Sequence, residues 1–445
     1  MLFLIYNLTK VWVHMNKKLV RSWALYDWAN SAFATTIMAA VLPIYYSQVA
    51  ASGLDGAVAT SYWGYTQSIA VLIVAILAPI LGAISDYSAA KKKFLRFFAY
   101  MGMIASVMLA FVDSGEYLFA SLLMIIGTVG FSGANVFYDA FLPEIAEGED
   151  IDRVSSKGFA FGYIGGGLLL AVNLLLIQKY EWFGLPSTNV GTKISFVSVG
   201  VWWFIFSIPL FKNIHEERKT TPSKNTSYIK IGFQRVGSTF KELNQYKQLL
   251  LFLLAFWLYN DGISTIIKMA TSYGTSIGIG TSDLIMALLI TQFVGIPFSF
   301  LFGWLATKIS AKKALLLALY IYIGIVILGY FMTTALHFYA LATCVGFVQG
   351  GAQALSRSLF GRMVPDDRHA EFFGFYGISS KFAAIFGPFL FALVGTLTGS
   401  SRLGIFSLVV FFIAGIILLT KVDVEKGEKE AQEATFEANT TDVHT

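Results

Sequence analysis

The chain has 445 residues, of which 56% are hydrophobic and only 13% charged, with a mean hydropathy of +0.66 and a net charge of +5. Soluble domains carry about 25% charged residues, so this composition excludes a soluble globular protein and predicts an all-α membrane protein. The single Cys344 excludes an intramolecular disulfide and any multi-cysteine metal site, and the five histidines show no metal-ligand spacing.

In chain order, the first segment, MLFLIYNLTKVWVH, is apolar but lacks a small-residue cleavage site before the first long span. No cleaved signal peptide is therefore expected, and Met15 is an alternative start. After the tail 1–21, apolar runs of about 20 residues predict twelve spans. Six lie near 22–50, 61–84, 94–113, 117–143, 158–178 and 193–212. Six more lie near 248–275, 283–307, 313–333, 337–361, 373–396 and 402–421. The polar segment 213–247 reads as an interdomain loop with room for a short surface helix, and the acidic tail 422–445 reads as disordered.

Lysine and arginine fall on alternate loops beginning with the N-terminal tail. The exceptions are Lys179, Lys193 and Arg402 on the other side, and Lys268 and Lys381 inside spans. The positive-inside rule then places both termini in the cytoplasm. With the basic residues accounted for by loops that flank spans, no nucleic-acid partner is expected.

The two halves, 22–212 and 248–421, read as repeats. LYDWANS (Leu25 to Ser31) matches LYNDGIS (Leu258 to Ser264), and Gly133-Ala134-Asn135 matches Gly351-Ala352-Gln353. GAISDYSAAKKK (Gly82 to Lys93) matches GWLATKISAKK (Gly303 to Lys313). The second register sets Asp139 opposite Arg357.

Polar residues within spans are expensive and mark candidate sites. Gln349, Gln353 and Arg357 recur every four residues and form one stripe on a helix. Ser379, Ser380 and Lys381 lie about 14 Å into their span, near the middle of a core about 30 Å thick. Together with Tyr26, Asn30, Asn135 and Asp261 these residues are the candidate solute contacts, with Lys381 receiving an anionic or zwitterionic group. For Lys381 a snorkelling position or a permanent pair with Asp261 is the alternative. Asp27 is the candidate proton-coupling carboxylate, or an Asp bonded locally near the interface. Asp139 and Arg357 are expected to close a charge pair between the halves, or else to be satisfied separately. Asp86, Lys91 and Lys92 are expected to act in gating, with Asp86 docking on a helix N-terminal dipole. The run Gly165-Gly166-Gly167 is expected to serve packing, and Tyr26, Trp28, Tyr259 and Tyr376 are the candidate cavity rings.

Twelve spans in two halves, with a G-x-x-x-D…K-K loop between the second and third, resemble the major facilitator superfamily. Ala89 departs from that pattern in place of its second glycine, and Thr307 replaces Asp86 in the second copy. Within the superfamily, YDWANSAF, QGGAQALSRSLF and EFFGFYGISSKFAAIFGP resemble the branch of the vacuolar amino-acid effluxer of autophagy. The resemblance implies secondary transport of a small organic solute by alternating access, with amino acids as the suggested class. It also implies multi-pass insertion, in the cytoplasmic membrane if the chain is bacterial. A monomer without cofactors is expected, whose partners are the bilayer, the solute and protons. No G-x-x-x-x-G-K-[ST], G-x-S-x-G or H-E-x-x-H occurs, so neither an ATP-driven pump nor an enzyme is expected. The alternatives are an intramembrane lipid-handling protein or enzyme, and a sensor that kept the fold and lost transport.

Overall fold

A computed structural model describes residues 16–54, 56–148, 150–216, 245–366 and 368–441. Within its helices the side chains of residues 56–58, 60, 61, 64, 271, 272, 275, 276, 281, 282, 285, 378, 380–385, 396 and 435–441 lie outside the description. So do the tail before residue 16, with the question of the start, and residues 217–244, most of the segment 213–247 read as an interdomain loop with room for a short surface helix.

The described chain is helical throughout. The first half comprises α1 (Lys17–Ala50), α2 (Gly56–Ser88), α3 (Lys91–Met108), α4 (Tyr117–Ala140), α5 (Asp150–Gln178) and α6 (Thr188–Asn213). The second comprises α7 (Lys247–Ser276), α8 (Thr281–Ile309), α9 (Ala311–Tyr330), α10 (Ala335–Arg362), α11 (His369–Thr398) and α12 (Ser401–Lys421). Several helices start earlier than their apolar runs, because hydropathy marks only the part immersed in hydrocarbon. Lys17 to Arg21 and Asp150 to Lys157 extend α1 and α5 by polar turns. Side-chain caps fix other starts: Asn16 for α1, Ser187 for α6, Thr334 for α10 and Ser400 for α12.

Among the described residues, ten helices are both long and apolar enough to cross a membrane: α1 to α9 and α12. The expected twelve falls to ten on this criterion. α10 has the length but carries Gln349, Gln353, Arg357 and Arg362, and α11 is judged only on its described residues, which leave the apolar run Phe386–Gly395 on one side of the undescribed side chains 380–385. Large apolar side chains such as Leu72, Ile76, Phe97, Ile104, Leu122, Phe300 and Tyr320 are exposed on the outer surface. A belt of this kind suits contact with lipid.

Each half packs mainly within itself, and the two meet along α5 with α8 and α10, and along α2 and α4 with α11. The repeat is visible in the backbone. Seven residues after Gly82 and Gly303, Ala89 and Ser310 both adopt positive φ, 48° and 82°. Lysines that follow these turns tie back to the last helix of their own half: Lys92 Nζ donates to Ile214 O at 2.5 Å, and Lys312 Nζ to Val422 O at 2.7 Å.

The acidic tail departs from expectation. Val424–Thr441 forms a helix, α13, instead of a disordered segment. Glu428 lies 3.7 Å from Arg362, and Glu430 accepts the Gln248 N–H at 3.2 Å. Composition alone reads as disorder, but these partners on α7 and α10 supply the tertiary support the segment lacks by itself.

Candidate functional site

A cavity of about 410 Å³ lies between the halves. One wall comes from α1, α4 and α5, the other from α7, α8, α10 and α11. Its polar lining includes Asp27, Asn30, Asn135, Asn260, Gln292, Gln349 and Gln353. Asn30 Nδ2 donates to Asn135 Oδ1 at 2.6 Å, joining α1 to α4. Thr35, where α1 loosens into a π-helical stretch (Phe33–Val41), also reaches the wall. Such local π geometry often accompanies functional sites.

At the end of the cavity nearer the basic loops stands Arg357 of α10, 4% exposed. Every polar partner recorded for its guanidinium comes from the first half. Nη1 donates to Asp139 Oδ1 at 3.0 Å, and both Nη1 and Nη2 reach Asp27 Oδ2 at 3.4 Å. Nε donates to Ser155 Oγ and Nη2 to Ser155 O, each at 2.9 Å. Three rings surround it: the guanidinium carbon lies 4.4 Å from the Phe159 centroid, 4.8 Å from Trp23 and 5.8 Å from Tyr138. Trp23 is held by stacking on Tyr138 and by donating Nε1–H to Tyr138 O at 3.0 Å. The close approach of α1 and α5 makes room for this arrangement. A Cβ on Gly158 would stand 2.5 Å from Asp27 Oδ2 and 3.0 Å from Arg357 Nη2, and one on Gly165 would strike the Trp28 carbonyl.

A second bond set closes the same face. The Asp86 carboxylate at the end of α2 accepts the backbone N–H groups of Ala370 (3.2 Å) and Glu371 (2.8 Å) in the first turn of α11. A carboxylate at a helix N-terminus satisfies orphan donors and meets the positive end of the dipole. Lys91 Nζ lies 3.2 Å from Asp86 Oδ1 and also contacts Glu144, whose Oε1 is 3.9 Å from His369 Nδ1. Arg362 of α10 pairs with Asp152 of α5.

The candidate residues therefore fall into groups. Asp27, Asn30, Asn135, Asp139, Gln349, Gln353 and Arg357 come together at the cavity. Asp27 does not stand apart from the charge pair between the halves: it shares the same guanidinium as Asp139. Asp261 does not line the cavity. It is 2% exposed and Oδ1 accepts the Gly387 N–H at 2.9 Å, next to Pro388, which interrupts the helical bonding of α11. Tyr26 is fully buried inside the first half, beside Tyr138 and Phe211. Lys92 serves its own half through Ile214, without a recorded bond to the second. Ser379 is half-buried on α11 outside the cavity lining, and the side chains of Ser380 and Lys381 lie outside the described residues.

Of the expected rings only Tyr376 lines the cavity. Trp28 stacks on Trp202, and Tyr259 bonds to Ser356 at 2.6 Å. The lining rings are Phe131, Tyr138, Phe159, Tyr163, Phe256 and Tyr376. Gln292, a lone amide in the apolar run LLITQFVGI, also lines the cavity and is legible in the sequence by the same cost of a polar group in a span. Ser155, Phe159 and Trp23 carry no such signal, because a serine or an aromatic residue in a membrane helix is ordinary.

The family model described as vacuole effluxer Atg22 like matches residues 15–151 and 146–432. The chain is 42% identical to a Bacillus subtilis (strain 168) protein named as the MFS-type transporter YxiO, over 93% of this chain and 96% of that one. It is 25% identical to autophagy-related protein 22 of Yarrowia lipolytica, over 83% and 76% of the two chains. Among solved structures, the proton:xylose symporter XylE superposes with a TM-score of 0.70 at 16% identity, over 94% of this chain and 98% of that one. The Escherichia coli fucose:proton symporter FucP gives 0.66 at 15% identity, over 91% and 98%. At these identities the superpositions show the fold alone. The chain is a multi-pass integral membrane protein that belongs to the Atg22-like family, a branch of the major facilitator superfamily of transporters.

Proposed function

We propose that the protein is a secondary active transporter that carries a small polar organic solute through the cavity by alternating access. One observation carries this reading: a polar cavity walled by both halves is shut at one face by bonds that run between those halves. Two halves joined by discrete charge-assisted bonds have a second arrangement available, with the bonds broken and the face open. The reading includes twelve spans in two six-helix halves, 22–212 and 248–421, a monomeric unit, and both termini in the cytoplasm, which makes the closed face the cytoplasmic one. His215→Cys should then label from inside and Lys179→Cys from outside.

Asp27 and Asp139 share one guanidinium, so the cluster holds two carboxylates against one fixed cation. The unbalanced charge is the place for a coupling proton, and Asp27, the more distant partner, is the residue assigned to it. Amino acids are the solute class in keeping with the family. Gln349 and Gln353 on the cavity wall, with Ser380 and Lys381 on α11, are assigned to the solute's carboxylate, and Asn30 and Asn135 to its orientation.

The test is flux of radiolabelled solutes in proteoliposomes. Gradient-driven uptake with counterflow of at least one solute is expected. Asp27→Asn should abolish proton-driven accumulation and keep counterflow. Absence of flux and counterflow for every amino acid and small polar solute tried would remove the transport reading.

A further inference from the structure

The contacts of Arg357 describe a receptacle as well as a gate. A side chain of the second half ends in a socket built entirely by the first: carboxylates from Asp27 and Asp139, hydroxyl and carbonyl oxygens from Ser155, and the faces of Trp23, Tyr138 and Phe159. This is the full chemistry by which proteins hold a planar organic cation. Oxygen acceptors meet the N–H fork, and rings meet the flat face. Nothing in the socket depends on the guanidinium being attached to α10.

Under alternating access, on whose reading this inference rests, opening the closed face withdraws α10 and takes Arg357 out of the socket. The first half is then left with two carboxylates among three rings and no cation. Carboxylates left unpaired in a partly buried site are costly, so the open state favours a replacement of the same charge and shape. We propose that the socket is a binding site for a guanidinium-type organic cation, that such a group belongs to the transported solute, and that Arg357 is its built-in competitor.

The cavity supports the second part of this assignment. Asp27, Asp139, Tyr138 and Phe159 line it as well as the socket, so one pair of carboxylates serves both places. As the face closes, Arg357 reclaims the rings and Ser155, and the solute's cation keeps only the carboxylate edges turned to the cavity. Each closure thus displaces the solute from the socket toward the 410 Å³ space. Return without solute is also permitted, because Arg357 re-occupies the empty socket.

The experiment removes the competitor and supplies a loose copy. Purified Arg357→Ala is titrated with methylguanidinium, with the neutral isostere methylurea as control at matched ionic strength, and the melting temperature is read. The proposal expects a saturable rise for Arg357→Ala with methylguanidinium, none with methylurea, and a much weaker one for the wild type, in which Arg357 competes for the socket. Adding Asp139→Asn should weaken the response roughly tenfold or more, the equivalent of one charge-assisted bond. A titration in which Arg357→Ala behaves as the wild type does overturns the proposal. If the alanine variant does not fold, Arg357→Gln takes its place. The wild type provides a second reading: agmatine should inhibit its solute counterflow competitively. Counterflow indifferent to agmatine, with no response in the variant, overturns the cation site and leaves the transport reading standing. A saturable response in a protein that moves no solute upholds the socket and removes the transport reading.

Discussion

The two loops of the repeat, Gly82 to Lys93 and Gly303 to Lys313, share a residue of positive φ seven positions after their first glycine and do different work. Both turns hold a non-glycine residue of positive φ, and both send a lysine to the end of the last helix in their own half. Among the described residues only the first has a recorded hydrogen bond to the other half, from Asp86 to the first turn of α11. In the second, Thr307 bonds to Trp304 O within its own helix. The shared features build each half, and the differing residue builds the lock between them. The same division holds deeper, where Asp139 and Arg357 occupy matched positions with opposite charges and pair with each other. Two identical halves could not make that bond.

The largest break in this asymmetry is Arg357→Ala. It strands two carboxylates and should cost about 3–5 kcal/mol of the closed arrangement, as breaking a buried pair does. Transport should fall below detection while some folded protein remains, as read by flux and by size-exclusion chromatography. Charge reversal within the pair sharpens the point: Asp139→Arg with Arg357→Asp should recover part of the closed state that either single change loses.

Asp86→Asn comes next. The amide keeps one acceptor for the α11 turn but gives up the charge, at about 1–2 kcal/mol. Alkylation of Ala34→Cys, a cavity position, should speed up from the basic face when Cys344 is replaced by alanine. Thr307→Asp tests the converse, since it offers the second loop the carboxylate it lacks, and should slow the same alkylation. Lys381→Met should fold normally and lose affinity for carboxylate-bearing solutes. If it folds poorly and Asp261→Asn restores it, the lysine belongs to a permanent pair. The smallest effects belong to the turns. Ala89→Gly and Ser310→Gly each relieve a side chain at positive φ and should raise stability by at most about 1 kcal/mol, with transport unchanged.

The fold was legible because membrane insertion writes itself into the sequence over long windows, and because loop charges and matched segments repeat. The cavity was legible in part. Asn135, Gln349, Gln353, Asp139 and Arg357 stand out as polar residues in apolar helices, and their i, i+4 spacing puts each set on one face. Asp261 shows the same signal and points elsewhere, because a carboxylate can equally accept a backbone N–H of a neighbouring helix, here that of Gly387. Spacing along one helix does not say which neighbour the face meets. Trp23, Ser155 and Phe159 were illegible for the opposite reason: their types are common in such helices, and only the arginine between them gives them meaning. The α13 helix was missed because its support comes from Arg362 and Gln248, far away in sequence.

The central claim is that bonds between the halves, centred on Arg357 and Asp86, hold one face shut against an alternative open arrangement. The most direct test is a pulsed electron-spin distance between labels at Lys93→Cys and Lys421→Cys, exposed positions on the two halves at the basic face, with Cys344 replaced by alanine. The account predicts a dominant short-distance population in the parent and a second, longer one that grows with Asp86→Asn and dominates with Arg357→Ala. A single distribution, unchanged in both folded variants, would contradict it.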